Sequence, residues 1–226
     1  MRNNNEISRS KIELFIKCPR CFWLEVKHNI KRPEEIKGTF IGSKYDPILK
    51  KDLDEHRKQK KTPEEIEKRG FFLFPDTRKL VLWRKRLEFF HKDHNLVYWG
   101  KIDDLLINKE KLLIPFDFKT TLSKNFSIYE DYKRQLEIYG YLLKKQGEGV
   151  ESKGVLYVIK IDINEKYEKT EEREVYILDN LNYDAYDEVL ENLKEVYYSK
   201  KEPDPSPNCS YCERDFKILN LKYNQT

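Results

Sequence analysis

The sequence contains only four cysteines, and no apolar stretch in it approaches the roughly 20 residues needed to span a bilayer. The start of the sequence, Met1 to Asn5, is mostly polar and lacks the apolar core of a secretory signal. Net charge is also small, because 44 basic residues face 40 acidic ones and leave +4. These absences argue against a membrane partner and against a dedicated basic nucleic-acid-binding tail. They predict a cytoplasmic protein.

Internal repeats and low-complexity segments are absent as well, which argues against a solenoid or a disordered chain. Fifteen Tyr, twelve Phe and three Trp supply large apolar surfaces that need a folded core. A length of 226 residues is enough for one substantial core. We therefore expect a single domain over residues 1–226.

Helical and strand patterns alternate along the chain, which predicts a mixed α/β protein. Apolar spacing of three and four predicts helices over 10–18, 42–58, 62–68, 127–145 and 184–198. Runs of β-branched and aromatic residues predict strands over 86–90, 96–107, 111–120, 155–161 and 174–178. A tight polar turn at 108–110 should join the second and third of these strands as an antiparallel hairpin.

Acidic residues lie on both strands of this hairpin. Asp103 is on the first, and Asp117 and Lys119, two residues apart, share one face of the second. The three side chains can therefore reach one site. Carboxylates bind Mg²⁺ or Mn²⁺, which prefer oxygen ligands, and a lysine beside them can position a water or stabilise charge on a phosphate. The pattern favours metal-dependent phosphodiester hydrolysis.

A simpler explanation is that these are solvated charges of a half-exposed strand pair, together with Asp104. The apolar residues around Asp117 argue for a ligand role, because an uncompensated carboxylate is costly in such surroundings. Those neighbours are Leu112, Leu113, Ile114, Phe116 and Phe118.

The run 100–103, the segment 117–120 and the pair Gln135 and Tyr139 together resemble the RecB-type branch of the PD-(D/E)XK nucleases. The resemblance implies a restriction-endonuclease-like core, with a central mixed sheet flanked by helices. It also implies metal-dependent hydrolysis of DNA, exonuclease-like or acting on single strands and ends.

The resemblance assigns a role to each matching position. The metal ligands would be Asp103, Asp117 and the main-chain carbonyl of Phe118, and Lys119 would be the catalytic lysine. Gln135 and Tyr139 would line the active site from the following helix. Tyr139 has an alternative role as a core aromatic.

The family often has a histidine ligand upstream, after a Gly-Ser or Gly-Thr start. Here Gly42 and Ser43 lead to Asp46 instead, which we expect to supply an oxygen ligand. The alternative for Asp46 is a charge favoured by the helix N-terminus, which needs no metal. His56 is a weaker candidate in the same segment.

All four cysteines form Cys-x-x-Cys pairs, Cys18 with Cys21 and Cys209 with Cys212, and this pattern predicts one four-thiolate metal site. Disulfides or unpaired buried thiols are the alternatives. Four thiolates suit either Zn²⁺ or an iron-sulfur cluster. In either case residues 8–32 and 203–216 would form a clasp between the two ends of the chain.

The cysteine segments are similar to those of nucleases related to the CRISPR-adaptation and AddB enzymes, which often hold a [4Fe-4S] cluster with one early and three late cysteines. The resemblance therefore implies a [4Fe-4S] cluster, with Zn²⁺ as the alternative. The division here is two and two, so Cys21 would have to replace the missing late cysteine.

DNA, single-stranded or with free ends, is the expected partner, along with proteins of a repair, recombination or CRISPR-adaptation pathway. Phe22 and Trp23 are interleaved with basic residues, which suggests a surface for phosphates and stacked bases. A solvated lysine-rich face is the alternative. The rival functions are a catalytically silent DNA-binding protein and a zinc-ribbon module. The second is disfavoured because the cysteine pairs lie at opposite ends of the chain.

Overall fold

The computed structural model describes residues 5–32, 40–163 and 169–213, so residues 214–216 of the predicted clasp lie outside it. In this part of the chain no helix is long and apolar enough to cross a membrane. The elements are β1 (Glu6–Ser8), α1 (Arg9–Lys17), α2 (Pro19–His28), α3 (Phe40–Lys58), α4 (Glu64–Glu67), β2 (Phe72–Leu73), α5 (Thr77–Lys85), β3 (Leu87–His91), β4 (Leu96–Gly100), β5 (Asp104–Ile107), β6 (Leu113–Thr121), α6 (Glu130–Lys145), β7 (Lys153–Ile163), β8 (Lys169–Asp179) and α7 (Ala185–Tyr198).

A five-stranded sheet in the order β2-β5-β6-β7-β8 forms the centre of the fold. Strand β6 pairs antiparallel with β5 and parallel with β7, and helix α6 makes the connection between the two parallel strands. Helices α3 and α6 both contact β6. The predicted mixed sheet flanked by helices is therefore confirmed.

A separate three-stranded sheet has the order β1-β4-β3. The prediction of one strand over residues 96–107 is therefore wrong. Its first half is β4, which pairs with β1 and β3, and its second half is β5, which belongs to the central sheet. Residues 101–103 between them are not in a strand, so Asp103 lies in a bend directly before β5.

Charged groups hold this bend in place. Arg84 donates from Nε to the main-chain oxygen of Asp103 at 3.0 Å, so this carbonyl is satisfied outside any strand ladder. The fully buried Asp104 accepts from Arg84 at 2.6 Å and also contacts Arg57. Asp54 bonds to both arginines. The network compensates the buried charges and fixes the position of Asp103 in the bend between β4 and β5.

Helix α1 begins and ends close to the predicted positions. Its N-cap is Ser8, whose hydroxyl accepts from the main-chain N–H of Lys11 at 3.4 Å, so the helix begins one residue before the predicted start at residue 10. Cys18 terminates the helix in an extended conformation, as predicted. A second helix starts at once, because Pro19 is well tolerated at a first helical position.

The two faces of the central sheet are covered differently. On one face α6 packs Leu136, Leu142 and Leu143 into a core that includes Leu156 and Val158. On the other, Leu49 and Leu53 of α3 pack into a second core with residues of β5, β6 and β7. Strand β6 is buried on both faces over residues 113–118, so the carboxyl group of Asp117 is drawn into the protein interior.

Gly140 of α6 is required by packing. A Cβ at this position would overlap the ring of Tyr183, which is buried and held by hydrogen bonds from its hydroxyl to the carbonyls of Glu151 at 2.7 Å and Lys153 at 2.9 Å. We expect Gly140→Ala to lower the free energy of unfolding by about 1–3 kcal/mol in denaturant titrations. At Gly42 of α3, where a Cβ meets nothing, alanine should stabilise by up to about 1 kcal/mol. Equal effects at the two glycines would contradict this explanation.

Candidate active site and metal centre

The strand register brings Asp103 and Asp117 together. Asp104 pairs with Phe116 across the β5–β6 ladder, so the next antiparallel step places Asp103 opposite Asp117. Facing residues of such a pair project to the same side of the sheet. The two carboxyl groups influence each other's titration through a side-chain hydrogen bond. The structure thus brings together the two acids on which the sequence hypothesis depends.

Lys119 and Gln135 complete this group. Lys119 forms an ion pair with Asp117 Oδ2 and donates to Gln135 Oε1 at 3.2 Å. Gln135 donates from Nε2 to Asp117 Oδ1 at 2.6 Å. One amide of α6 therefore contacts both the acid and the ammonium of β6. It fixes their relative orientation from the helix face.

Asp117 is fully buried, and burial raises its pKa to about 7. The ammonium of Lys119 opposes this rise, and the neighbouring Asp103 adds to it. In the absence of another cation, Asp117 is therefore the acid of the pair that holds a proton near neutral pH.

Asp103 behaves in the opposite way because of Lys50, which the sequence hypothesis missed. Burial acts to raise the pKa of Asp103, but Lys50 Nζ lies 2.7 Å from Asp103 Oδ1 and the net effect is a lowered pKa. Lys50 is on α3, one turn after Asp46. That spacing of four on one helix is the signal that could have identified it.

Asp46 is close enough to Asp103 to feel its charge. Burial raises the pKa of Asp46, the repulsion from Asp103 raises it further, and Lys50 and Lys119 oppose both. His56 instead contacts Asp52, with Nδ1 at 2.9 Å from its main-chain oxygen. Of the two upstream residues considered as ligands, Asp46 is therefore the one with an electrostatic connection to the acidic pair.

Tyr139 and Phe118 lie on opposite sides of β6. Tyr139 is buried below Gln135, whose Nε2 is 3.3 Å from the tyrosine hydroxyl, and burial raises the pKa of Tyr139 to about 12. It stays a neutral hydroxyl at any physiological pH. Phe118 points into the α3-side core, against Phe116 and Tyr157. Strand alternation explains why its side chain is turned away from Asp117.

The acidic group has the chemistry of a divalent-metal site. Asp103 and Asp117 supply oxygen ligands, and Asp46 adds a third carboxylate within electrostatic range. Asp117 Oδ2 is buried and, among the described residues, accepts no well-formed hydrogen bond despite its ion pair with Lys119. A buried carboxylate oxygen that is held only by a side-chain ammonium can exchange that partner for a metal ion. The residues present therefore fit Mg²⁺ or Mn²⁺.

The four cysteines are buried together where the end of α1 meets the C-terminal segment. Their ligand atoms all lie within 4.8 Å of one another. Sγ–Sγ distances are 3.8 Å for Cys18 and Cys212, 3.6 Å for Cys21 and Cys209, and 3.5 Å for Cys21 and Cys212. None of the four is in a disulfide. The predicted grouping of the two Cys-x-x-Cys pairs is confirmed.

Donors around the cysteines favour negatively charged sulfur. Arg32 donates from Nη2 to Cys209 Sγ at 3.1 Å and lies over the ring of Tyr211 at 4.9 Å. The main-chain N–H of Ser206 donates to Cys18 Sγ at 3.5 Å. Burial acts to raise the pKa of Cys18, but this hydrogen bond and others from the neighbouring groups lower it to about 6. Burial raises the pKa of Cys21 to about 11. Without a cation the four thiols cannot all ionise, so a metal suits the site.

The proposed stacking surface near the first cysteine pair is not supported. Phe22 is fully buried and Trp23 is 7% exposed, so neither ring can meet a nucleobase. The basic residues beside them also have partners: Lys17 pairs with Asp131, and Arg20 pairs with Glu202. Helix α2 uses its aromatics for core packing, which amphipathic spacing alone could not distinguish from a binding face.

The sequence matches the PD-(D/E)XK nuclease superfamily over residues 48–215. The chain belongs to this superfamily. The match includes Asp103, Asp117, Lys119 and the late cysteine pair, and it begins just after Asp46. No curated protein matches the sequence.

Two solved structures are similar to this PD-(D/E)XK chain. The protein SSO0001 has 17% identity and a TM-score of 0.40, with 85% of this chain and 77% of that chain covered. A protein from Eubacterium rectale, described as a candidate exonuclease, has 13% identity and a TM-score of 0.48, with 94% and 88% covered.

Metal binding by this PD-(D/E)XK chain should depend on pH through Asp117. Its pKa is raised to about 7, so the proton must leave before the carboxylate can bind a cation, and affinity for Mn²⁺ should fall as pH drops from 8 to 6.

The metal-free protein should lose stability as pH rises from about 4 to about 7, because the native state holds the extra proton in that range. Titration calorimetry and thermal melts measure both effects. In Asp117→Asn the Asp117-dependent part of both pH effects should disappear; a pH profile unchanged from wild type would contradict the assignment.

Proposed function

We propose that the protein is a divalent-metal-dependent deoxyribonuclease. The observation that carries this proposal is the pairing of the buried Asp117 with the ammonium of Lys119, which Gln135 holds in place, beside the half-buried Asp103. Such a group combines oxygen ligands for Mg²⁺ or Mn²⁺ with a positive charge for a phosphate. Membership of the PD-(D/E)XK nucleases supports nucleic acid as the substrate.

Each residue has a distinct part in the proposed reaction. Asp103, Asp117, Asp46 and the main-chain carbonyl of Phe118 would hold the metal. When bound, the metal supplies Lewis acidity and lowers the pKa of water. Lys119 binds the phosphate oxygen or the attacking water from the same side as Asp117, and Gln135 restricts its position. The proposed place of Tyr139 is beneath Gln135, where its neutral hydroxyl supports the amide.

The finer assignment is to the RecB-type branch, with DNA single strands or ends as substrate and an exonuclease-like action. It is supported by the spacing of Asp103, Asp117, Lys119, Gln135 and Tyr139 together with the cysteine clasp. We further propose that residues 1–226 act as one nuclease domain, in a reducing cytoplasm. Its partner proteins would then belong to a DNA repair, recombination or CRISPR-adaptation pathway.

For the cysteine site we propose one tetrahedral ion, Zn²⁺, with the [4Fe-4S] cluster expected from the resemblance as the alternative. Sulfurs at about 2.3 Å from a zinc ion form a tetrahedron with edges of about 3.8 Å. The Sγ–Sγ distances of 3.5, 3.6 and 3.8 Å agree with that size. In a four-iron cluster each thiolate binds a different iron, so its sulfurs lie farther apart. Metal analysis and an absorption spectrum distinguish the two, since only the cluster is brown.

The test of the proposed reaction is incubation of purified protein with end-labelled DNA. Cleavage is expected with Mg²⁺ or Mn²⁺ and not with a chelator present. The rival function is a catalytically silent protein that binds DNA through the same fold. DNA binding without cleavage under either metal would favour the silent protein and overturn the enzymatic proposal.

A further inference from the structure

An exposed apolar surface lies next to the proposed catalytic residues. The segment 122–132 follows β6, which carries Asp117 and Lys119, and runs into α6, which carries Gln135. Three of its large side chains face solvent: Leu122 is 48% exposed, Ile128 is 45% exposed and Tyr129 is 60% exposed. Of the three, Tyr129 is the one whose contacts lead to the catalytic residues, whereas Leu122 lines a groove with residues of β7 and β8.

Aromatic contacts connect this surface to the catalytic lysine. The ring of Tyr129 meets the ring of Tyr132 edge-on, with centroids 5.5 Å apart. Lys119 Nζ lies 4.7 Å from the centroid of Tyr132. Phe126 stacks on the other side of Tyr132 at 5.9 Å and also contacts Tyr176 at 5.3 Å. Tyr129 is therefore the exposed member of this aromatic group, and Tyr132 lies between it and Lys119.

Basic groups near Tyr129 can contact phosphates. Lys133, one turn later in α6, forms no ion pair within the residues that the structure describes, and Lys119 lies over the ring of Tyr132. Of the two acids that follow Tyr129, Asp131 is neutralised by Lys17 at 2.5 Å and Arg134 at 2.6 Å, and Glu130 is exposed. Lysines beside an exposed ring provide the combination of phosphate contacts and a stacking face that single strands use.

We propose that Tyr129 stacks on an unpaired nucleobase next to the phosphate being cut. A base inside a duplex has no free face, so this contact selects single strands and frayed ends. The inference deepens the proposed nuclease function and rests on it for the position of the scissile phosphate. It makes Tyr129 a substrate-binding residue that selects the form of DNA.

Binding of fluorescent oligonucleotides in Ca²⁺, which is used here to hold complexes without turnover, tests this contact. Tyr129→Ala should weaken binding of a single strand by about tenfold, because one base loses its stacking partner. Tyr129→Phe keeps the ring, and Phe90→Ala removes a 52% exposed aromatic from β3, so both should stay within about twofold of wild type. Binding of a blunt duplex should change equally little in all three variants.

Abasic oligonucleotides locate the stacked base. Loss of one base near the cleaved end should weaken binding to the wild-type protein, and this penalty should disappear in Tyr129→Ala. Equal binding of single strands by Tyr129→Ala and wild type would overturn the inference, even if the protein cleaves DNA. If the variant loses single-strand binding while no preparation cleaves DNA, the stacking contact stands and the proposed hydrolysis fails.

Discussion

Asp117→Asn and Lys119→Met are each expected to reduce the rate of DNA cleavage by about a thousandfold or more. Asparagine has nearly the shape of the protonated acid that Asp117 is at neutral pH, so the fold should persist while the negative charge needed for a metal is lost. Methionine keeps the length of Lys119 without its charge. Single-turnover cleavage of an end-labelled single strand at pH 8 measures the effect.

Two further aspartates serve as comparisons for this experiment. Asp93 is exposed in the turn between β3 and β4, and Asp93→Asn should cleave at the wild-type rate. Asp104 is buried between Arg57 and Arg84, so Asp104→Asn should lower the melting temperature, because the arginines lose their partner. If Asp117→Asn kept activity within about tenfold of wild type, Asp117 would not be a metal ligand.

Loss of the cysteine site is expected to lower the melting temperature by about 10 °C or more, whether through Cys212→Ser or through metal removal by a chelator. The site joins the end of α1 to the segment after α7, and these two parts of the chain are far apart in sequence. A metal that binds only the folded arrangement adds its binding free energy to stability. Circular dichroism melts with and without chelator measure the shift.

The variant and the chelator provide a check on each other. Cys212→Ser should be insensitive to chelator, since its site is already incomplete. Metal content, measured on the same samples, should fall with the melting temperature. A wild-type protein that contains no metal and melts at the same temperature with chelator would show that the thiols are packed without an ion.

Of the helices that the structure describes, the sequence analysis predicted all but α2 and α5. Among the strands it missed the short β1 and β2, and it failed to divide 96–107, where pairing between distant strands decided the outcome. Residues 96–99 and 105–107 are β-prone, and the prediction of one strand passed over the Gly and Asp residues between them, which are disfavoured in strands. The division at 101–103 depends on β1, which pairs with β4 from the start of the chain, and on Arg84, which binds the carbonyl of Asp103. Neither contact leaves a local pattern.

The site could be predicted in its acids and in Lys119, but Lys50 was missed. Asp117 and Lys119 share a face by strand alternation, and hairpin pairing brings Asp103 opposite. Lys50 reaches Asp103 from α3, and its spacing of four from Asp46 was the only local sign of this contact. Phe22 and Trp23 were predicted to be exposed stacking residues, but both are buried. The sequence around an aromatic residue with basic neighbours does not show whether its ring faces solvent or the core.

The contact between Lys50 and Asp103 affects the charge balance of the proposed metal site before an ion binds. Without a metal ion, the ammonium of Lys50 balances Asp103, and a proton or the ammonium of Lys119 balances Asp117. The fold therefore does not enclose an uncompensated negative charge. A divalent ion at the proposed site would displace these positive charges. Metal binding would then be an exchange of cations, which would let the protein fold first and acquire its metal afterwards.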